Sequence, residues 1–409
     1  MNTSSLSFLA FLCAAATLFS VLDAGRWRKP LLSAVNAAFL AFFVHSGKSA
    51  ALLAVFLLGG YACALLAERT GRRAAPMWIL ILPALGLLLY IKRYAILTLF
   101  LPAQLLVHDF EIVGLSYMTF KLIHVLVDAR RGTLDGLSFP CYANYQLGFF
   151  TLLAGPIQRY NDFAAYWRGG GEPVSEADAL RAWSRLLDGV IKSALLGTLA
   201  LQLYERASGR LLSGPGAWEA GGLFLLVLYS YLLYIYLNFS GYCDVVVASA
   251  RLLGLALPEN FDRPFAARNM IDFWNRWHIS LSQWIRDYAF MPSYVWYASR
   301  WDAFQRPFGY LLLFATLFAA GVWHGPTWNF VAFGVAQGLG VMLASMYGDF
   351  LQWALGTGGV ERYLKNAWVR RTAVIVTFHY NCAAFLFFPS DLHKTASLLR
   401  AAAAALGGR

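Results

Sequence analysis

Two histidines stand where polar chemistry enters an apolar chain. His278 lies in FWNRWHISLSQWIRDYAFM (Phe273 to Met291) and His324 in GVWHGPTWN (Gly321 to Asn329), with long apolar segments around both. Imidazole, with an unperturbed pKa of about 6.5, can take a proton from a hydroxyl at neutral pH. A third run, LAGPIQRY (Leu153 to Tyr160), carries Arg159, and Arg276 sits two residues before His278. A guanidinium can hold a phosphate or a carboxylate, or can snorkel to headgroups. Trp277, Trp323, Thr327 and Asn329 flank the histidines and, with the two arginines, are the candidate substrate-binding residues.

Such side chains need elements to hold them. Read as one helix, Asp272, Arg276, Ser280, Gln283 and Asp287 share about an 80° arc, and Trp274, Trp277, Leu281, Trp284, Ile285 and Tyr288 cover the other side. The pattern predicts an amphipathic interfacial helix, with His278 on its apolar side. At the second histidine, Pro326 removes an amide donor and disfavours helix at Gly325, so a helix should end at His324. Broken backbone at membrane depth is tolerated where it is buried in protein or lines a wet cavity, which would set His324 beside a pocket. An interfacial loop with belt tryptophans Trp323 and Trp328 is the other reading. Gly155-Pro156 breaks the third run in the same way, as a re-entrant or interfacial piece.

The rest of the chain supports a membrane setting. Of 409 residues, 59% are hydrophobic and only 13% charged, and the mean hydropathy is +0.53. Soluble proteins carry about 25% charged residues, and strands of a barrel would alternate rather than run continuously apolar. The expected architecture is an all-α polytopic integral membrane protein, residues 1–409 forming one domain. It has about eleven spans near Ser7–Leu22, Leu31–Val44, Ala50–Ala67, Pro76–Ile91, Tyr94–Val107, Ile112–Val127, Ala182–Tyr204, Gly222–Leu237, Pro307–Trp323, Trp328–Met346 and Thr372–Phe388. Re-entrant or interfacial helices and an alanine-rich last helix complete it. The net charge of +11 sits in short clusters between spans, such as Arg26–Lys29 and Arg69–Arg73, which fits loop anchoring and not nucleic acid. Five scattered cysteines, none in a CxxC pair, read as small core residues.

Taken in order, GPIQRY, FWNRWHISLSQWIRDYAFM and GVWHGPTWN resemble the membrane-bound O-acyltransferases, in particular their bacterial branch of teichoic-acid D-alanyltransferases and alginate O-acetyltransferases. GLSYMTFKLIHVLVDARRG from Gly114 and NFSGYCDVVVASARLLGLALPENFDRPF from Asn238 extend the match, which is strong from Gly114 to Gly340, a catalytic core of about residues 110–345. The resemblance implies a ring of helices around a thinned membrane centre where an inner and an outer funnel meet. It makes His324 the catalytic histidine and His278 the second active-site histidine. Two departures stand out. Pro292-Ser-Tyr-Val-Trp-Tyr replaces the glycine-rich turn usual in the acetyltransferases, and Gln337 stands where many relatives have a further histidine.

The implied function is transfer of a small acyl group, D-alanyl or acetyl, from a cytoplasmic thioester to hydroxyls of an extracytoplasmic envelope polymer. No cofactor or metal is implied, only the donor: a phosphopantetheine carrier protein or acetyl-coenzyme A. A relay protein that completes delivery outside is an expected partner, and the cytoplasmic (inner) membrane the expected location. A transporter or channel for a lipid-linked or glycan substrate is the rival class, since it too would line a path with intramembrane polar groups. A metal site is poorly supported by two histidines without HxH or HxxxH spacing.

Overall fold

The computed structural model describes residues 6–21, 24–70, 77–102, 114–170, 174–301, 303–389 and 392–406. Among them the structure is helical, its one β-bridge joining Phe261 to Trp277. Over their described residues, the expected spans other than Tyr94–Val107 fall on helices. That stretch opens with a short 3-10 turn, Ala95–Leu99, and from residue 103 lies outside the described residues. Gly47–Thr70, Glu176–Leu212, Ala217–Leu252, Gln305–Trp323 and Trp328–Lys365 are long and apolar enough to cross a membrane, and Ala10–Phe19 and Ile79–Ile91 are shorter apolar helices. The protein is a multi-pass membrane protein. The chain divides into two compact units.

The first unit comprises residues 1–190 and 242–259. Its helices are α1 (Leu6–Val21), α2 (Ala24–Ala41), α3 (Gly47–Thr70), α4 (Met77–Ile91), α5 (Leu115–Arg131), α6 (Phe139–Leu147), α7 (Tyr160–Ala165) and α8 (Glu176–Val190). A buried polar network ties α5 to the GPIQRY segment. Lys121, 1% exposed, donates to the Tyr145 carbonyl at 2.8 Å and to the Thr151 hydroxyl at 2.7 Å. One turn on, His124 Nε2 accepts from the Tyr160 amide at 3.2 Å and lies 3.0 Å from the Tyr145 hydroxyl. That hydroxyl donates to the Gln158 carbonyl at 2.7 Å. Backbone freed by Gly155-Pro156 thereby finds partners away from water, as membrane depth requires.

The second unit comprises residues 191–241 and 260–409. It holds α9 (Gly197–Leu212), most of α10 (Ala217–Leu252), α11 (Met270–Arg276), α12 (Ile279–Ile285), α13 (Met291–Ala298), α14 (Gln305–Trp323), α15 (Trp328–Lys365), α16 (Ala367–Phe385) and α17 (Leu392–Leu406). The tightest packing joins α14 to α15. A Cβ on Gly321 would strike the Gly334 backbone, and Cβ atoms on Gly334 and Gly338 would come within 2.7 Å of the Phe318 and Phe314 carbonyls. Small residues that let backbones meet are how helices associate in lipid, where burial of apolar area gives no drive. This hairpin fixes the HGPT turn between its helices.

Candidate active site

His324 caps the C-terminus of α14, its amide donating to the Gly321 carbonyl at 3.2 Å, and α15 begins four residues later. The helix therefore ends where Gly325-Pro326 requires it. The half-buried imidazole sits among aromatic rings, with centroids 4.9 Å from Trp323, 5.0 Å from Phe388, 6.0 Å from Phe330 and 6.1 Å from Phe333. Phe330 and Phe333 come from the first turns of α15. The close α14–α15 contact thus builds both the turn and the pocket wall.

His278 is reached differently from expectation. The stretch from Asp272 to Tyr288 is not one helix. α11 ends at Arg276, Trp277 is extended, His278 is left-handed at φ 46° and ψ 52°, and α12 starts at Ile279. A π-helical turn, Arg286–Phe290, then joins α12 to α13. The break is imposed from outside. Residues 260–262 pair with 276–280: the Asp262 amide donates to the Arg276 carbonyl at 3.0 Å and the Ile279 amide to the Asn260 carbonyl at 3.1 Å. Asn260 Oδ1 accepts the Ser280 amide, also at 3.1 Å. A left-handed conformation costs a side-chain-bearing residue about 1–2 kcal/mol, which these bonds offset.

The His278 ring is 3% exposed, edge-on to Phe239 at 4.8 Å, and its Nε2 has no hydrogen-bond partner among the described residues. Burial first, and the neighbouring His324 second, push its pKa down to about 3. It is a neutral imidazole with a nitrogen left open. His278 and His324, both in the second unit, are therefore near enough for one to feel the charge of the other.

The remaining candidates have definite surroundings. Arg276 pairs with Asp272 at 2.7 Å and Asp262 at 3.6 Å, on the charged side foreseen for it. Trp277 is buried, stacked on Phe273 at 5.4 Å and edge-on to Phe261 at 5.1 Å. Asn329 is buried and its amide donates to the Pro389 carbonyl. Thr327 is the exposed N-cap residue of α15. Trp323 is half-buried against His324. Arg159 belongs to the first unit, half-buried at the N-cap of α7. Two residues not singled out for the site from the sequence also matter: Asn260, in PENFDRPF, and Trp274, whose Nε1 donates to the buried Gln337 Oε1 at 3.1 Å. The PENF segment resembled relatives, but only the pairing across residues 276–280 reveals what its asparagine does. Among the described residues no cluster of three or more His, Cys, Asp or Glu side chains could hold a metal ion.

A buried imidazole and a half-buried one, each at a break between helices of a membrane protein, make a class of site suited to moving a proton during group transfer. Residues 75–387 match the membrane-bound O-acyltransferase family, and the chain belongs to it; it is an O-acyltransferase. It is 31% identical over 284 residues to the teichoic acid D-alanyltransferase of Bacillus subtilis, covering 68% of each chain. To the protein of that name from Streptococcus thermophilus it is 28% identical over 293 residues, 69% of each. To the "Probable alginate O-acetylase" of Pseudomonas aeruginosa it is 27% identical over 273 residues, 66% of this chain and 48% of that one.

Proposed function

We propose that this protein moves a D-alanyl or acetyl group from a cytoplasmic thioester to hydroxyls of an extracytoplasmic envelope polymer, with His324 as general base. The observation that carries the reading is the placement of His324: a half-buried imidazole at a helix break, beside a second, buried and neutral imidazole. The step needs no serine or cysteine nucleophile. His324 takes the acceptor hydroxyl's proton as its oxygen attacks the thioester carbonyl. The tetrahedral intermediate collapses, the C–S bond breaks, and the proton passes to the departing sulfur.

His278, neutral and with Nε2 open, orients the acceptor or the donor by a hydrogen bond. For the oxyanion, the exposed Thr327 hydroxyl at the start of α15 is the leading donor, since the Gly325 amide already serves the Val322 carbonyl. Arg159 and Arg276 are assigned to phosphate of the donor or acceptor, Arg276 through the outer edge of a guanidinium that Asp272 already holds. D-alanyl is the preferred acyl group because the named D-alanyltransferases match over 68–69% of their length and the O-acetylase over 48%. An acyl-carrier protein, a relay partner outside and the inner membrane complete this reading.

The test is mass spectrometry of envelope polysaccharide from cells carrying the native chain, His324→Ala or His278→Ala, reading ester-linked alanine and acetate after mild base release. Loss of one ester at unchanged protein level supports the proposal, and the mass lost names the acyl group. Persistence of all esters with altered glycan export would instead favour a transporter.

A further inference from the structure

We infer that a groove between α15 and α16 holds one anionic glycerophospholipid, its acyl chain along the groove and its headgroup at the basic turn joining the two helices. The groove has a volume of about 610 Å³ and lies wholly within the second unit. Its floor is apolar: Met270, Leu343, Ala344, Val369, Ala373 and Val376 line it. Gly340 opens its depth, because a Cβ there would come within 2.7 Å of the Tyr380 ring. From Trp368 to Tyr380 the α16 wall rises about 18 Å, near the half-thickness of roughly 15 Å that one leaflet contributes to a hydrocarbon core.

The polar end is built by a fold-back. At Gly356 α15 leaves helical geometry (φ 61°, ψ 173°), and the Tyr363 hydroxyl returns to within 2.8 Å of the Tyr347 hydroxyl. Sixteen residues of straight helix would part them by about 24 Å, so residues 357–365 turn back along the helix they follow. This segment and the first turns of α16 collect Arg362, Lys365, Arg370 and Arg371, against a single carboxylate, Glu361, which Lys365 already pairs at 2.5 Å. Arg371 lies 5.5 Å over the exposed Trp368 ring, and Arg268 lines the groove from the other wall. Among the described residues Arg268, Arg370 and Arg371 make no ion pair with a carboxylate. An apolar slot of leaflet depth, closed by tyrosines and tryptophan and rimmed with surplus cations, matches the amphiphile that a cytoplasmic leaflet supplies. A second copy of the chain would offer the same cations to themselves.

The experiment is native mass spectrometry of the full chain in detergent, titrated with phosphatidylglycerol or phosphatidylcholine of the same acyl chains. One phosphatidylglycerol should remain bound under conditions that strip phosphatidylcholine. Arg268→Gln with Arg371→Gln should weaken retention roughly fivefold per charge removed. Ala344→Trp and Val376→Trp, filling the slot from opposite walls, should abolish it, with a monodisperse elution profile confirming that either variant is folded. His324→Ala should retain the lipid as the native chain does. Equal retention of both lipids, or native retention in both tryptophan variants, overturns the proposal. So does loss of a dimer, with lipid unchanged, in the tryptophan variants, which would make a second copy the occupant.

Discussion

Asn260 brackets His278: its backbone carbonyl takes the amide just after the histidine and its side-chain oxygen takes the next, each at 3.1 Å. The histidine's left-handed backbone is held by an element eighteen residues earlier and not by its own helix. Replacing Asn260 with alanine leaves the Ser280 amide without its acceptor and lets the 277–278 link relax. We expect kcat to fall on the order of 100-fold, the size of effect that a misplacement of about 1 Å brings. Asn260→Asp keeps an oxygen in place and should recover most of the rate. Equal losses in both variants, at equal thermal stability, would show that the bracket does not position the histidine.

The pH dependence separates the two imidazoles. His278 is held down to about 3 by burial and by His324, so it carries no proton over the range in which the enzyme would work. His278→Gln should therefore lower the rate without changing the shape of the pH–rate profile between about pH 5 and 8. A limb that vanishes with His278 would contradict this. Stability carries the same sign. An unfolded histidine binds a proton below about 6.5 and the folded one does not, so the folded state loses stability as pH falls from there toward 3. His278→Gln should remove that part of the acid sensitivity in thermal unfolding.

Much of this site was legible because its causes are local. Gly325-Pro326 forces the end of α14 by backbone sterics, and the histidine beside it is where the helix stops. The charged side of the Asp272–Asp287 pattern likewise forms its Arg276–Asp272 pair one turn apart. What the pattern concealed is the break at Trp277–His278. A histidine takes the left-handed region more readily than most side chains but does not by itself mark a break, and the cause is a strand-like pairing with residues 260–262 that no window of one helix contains. The turn at Gly356 falls ten residues past the expected span Trp328–Met346, and its Gly356-Thr-Gly-Gly359 run weakens a helix without saying that the chain folds back. The Asn260–His278 relation and the fold-back are thus properties of tertiary structure, while the His324 break belongs to the sequence.

Close contact between α14 and α15 is the scaffold of His324, and it tolerates no side chain at its centre. Gly334→Leu would force a branched chain against the Phe318 carbonyl, which a single Cβ already approaches at 2.7 Å. Overpacking of this kind costs about 1–3 kcal/mol, and here it also parts the helices that set the HGPT turn. Thermal unfolding in detergent should show the destabilisation, and acyl transfer should fall further than stability does. Ala320→Gly, on α14 beside Gly321, makes a control in which the helices need not move apart. Activity proportional to folded protein in Gly334→Leu would mean the turn keeps its shape without the contact.

Gln337 and Trp274 form the other buried pair whose removal can be read cleanly. The indole Nε1 donates to Gln337 Oε1 at 3.1 Å, and Gln337 is fully buried. Gln337→Leu strands the indole N–H away from water and should cost about 1–3 kcal/mol. Adding Trp274→Phe removes the donor as well, and the stranded group with it. The double variant should therefore be less destabilised than the sum of the two single variants. Trp274 also lines an apolar pocket with Ile271, Leu317 and Val341, so the Trp274→Phe change carries a packing loss of its own that the cycle subtracts. Strict additivity would show that the bond contributes nothing. A positive coupling with unchanged kcat would place Gln337 in the support of α11, and a fall in kcat at native stability would place its free amide hydrogens in the reaction itself.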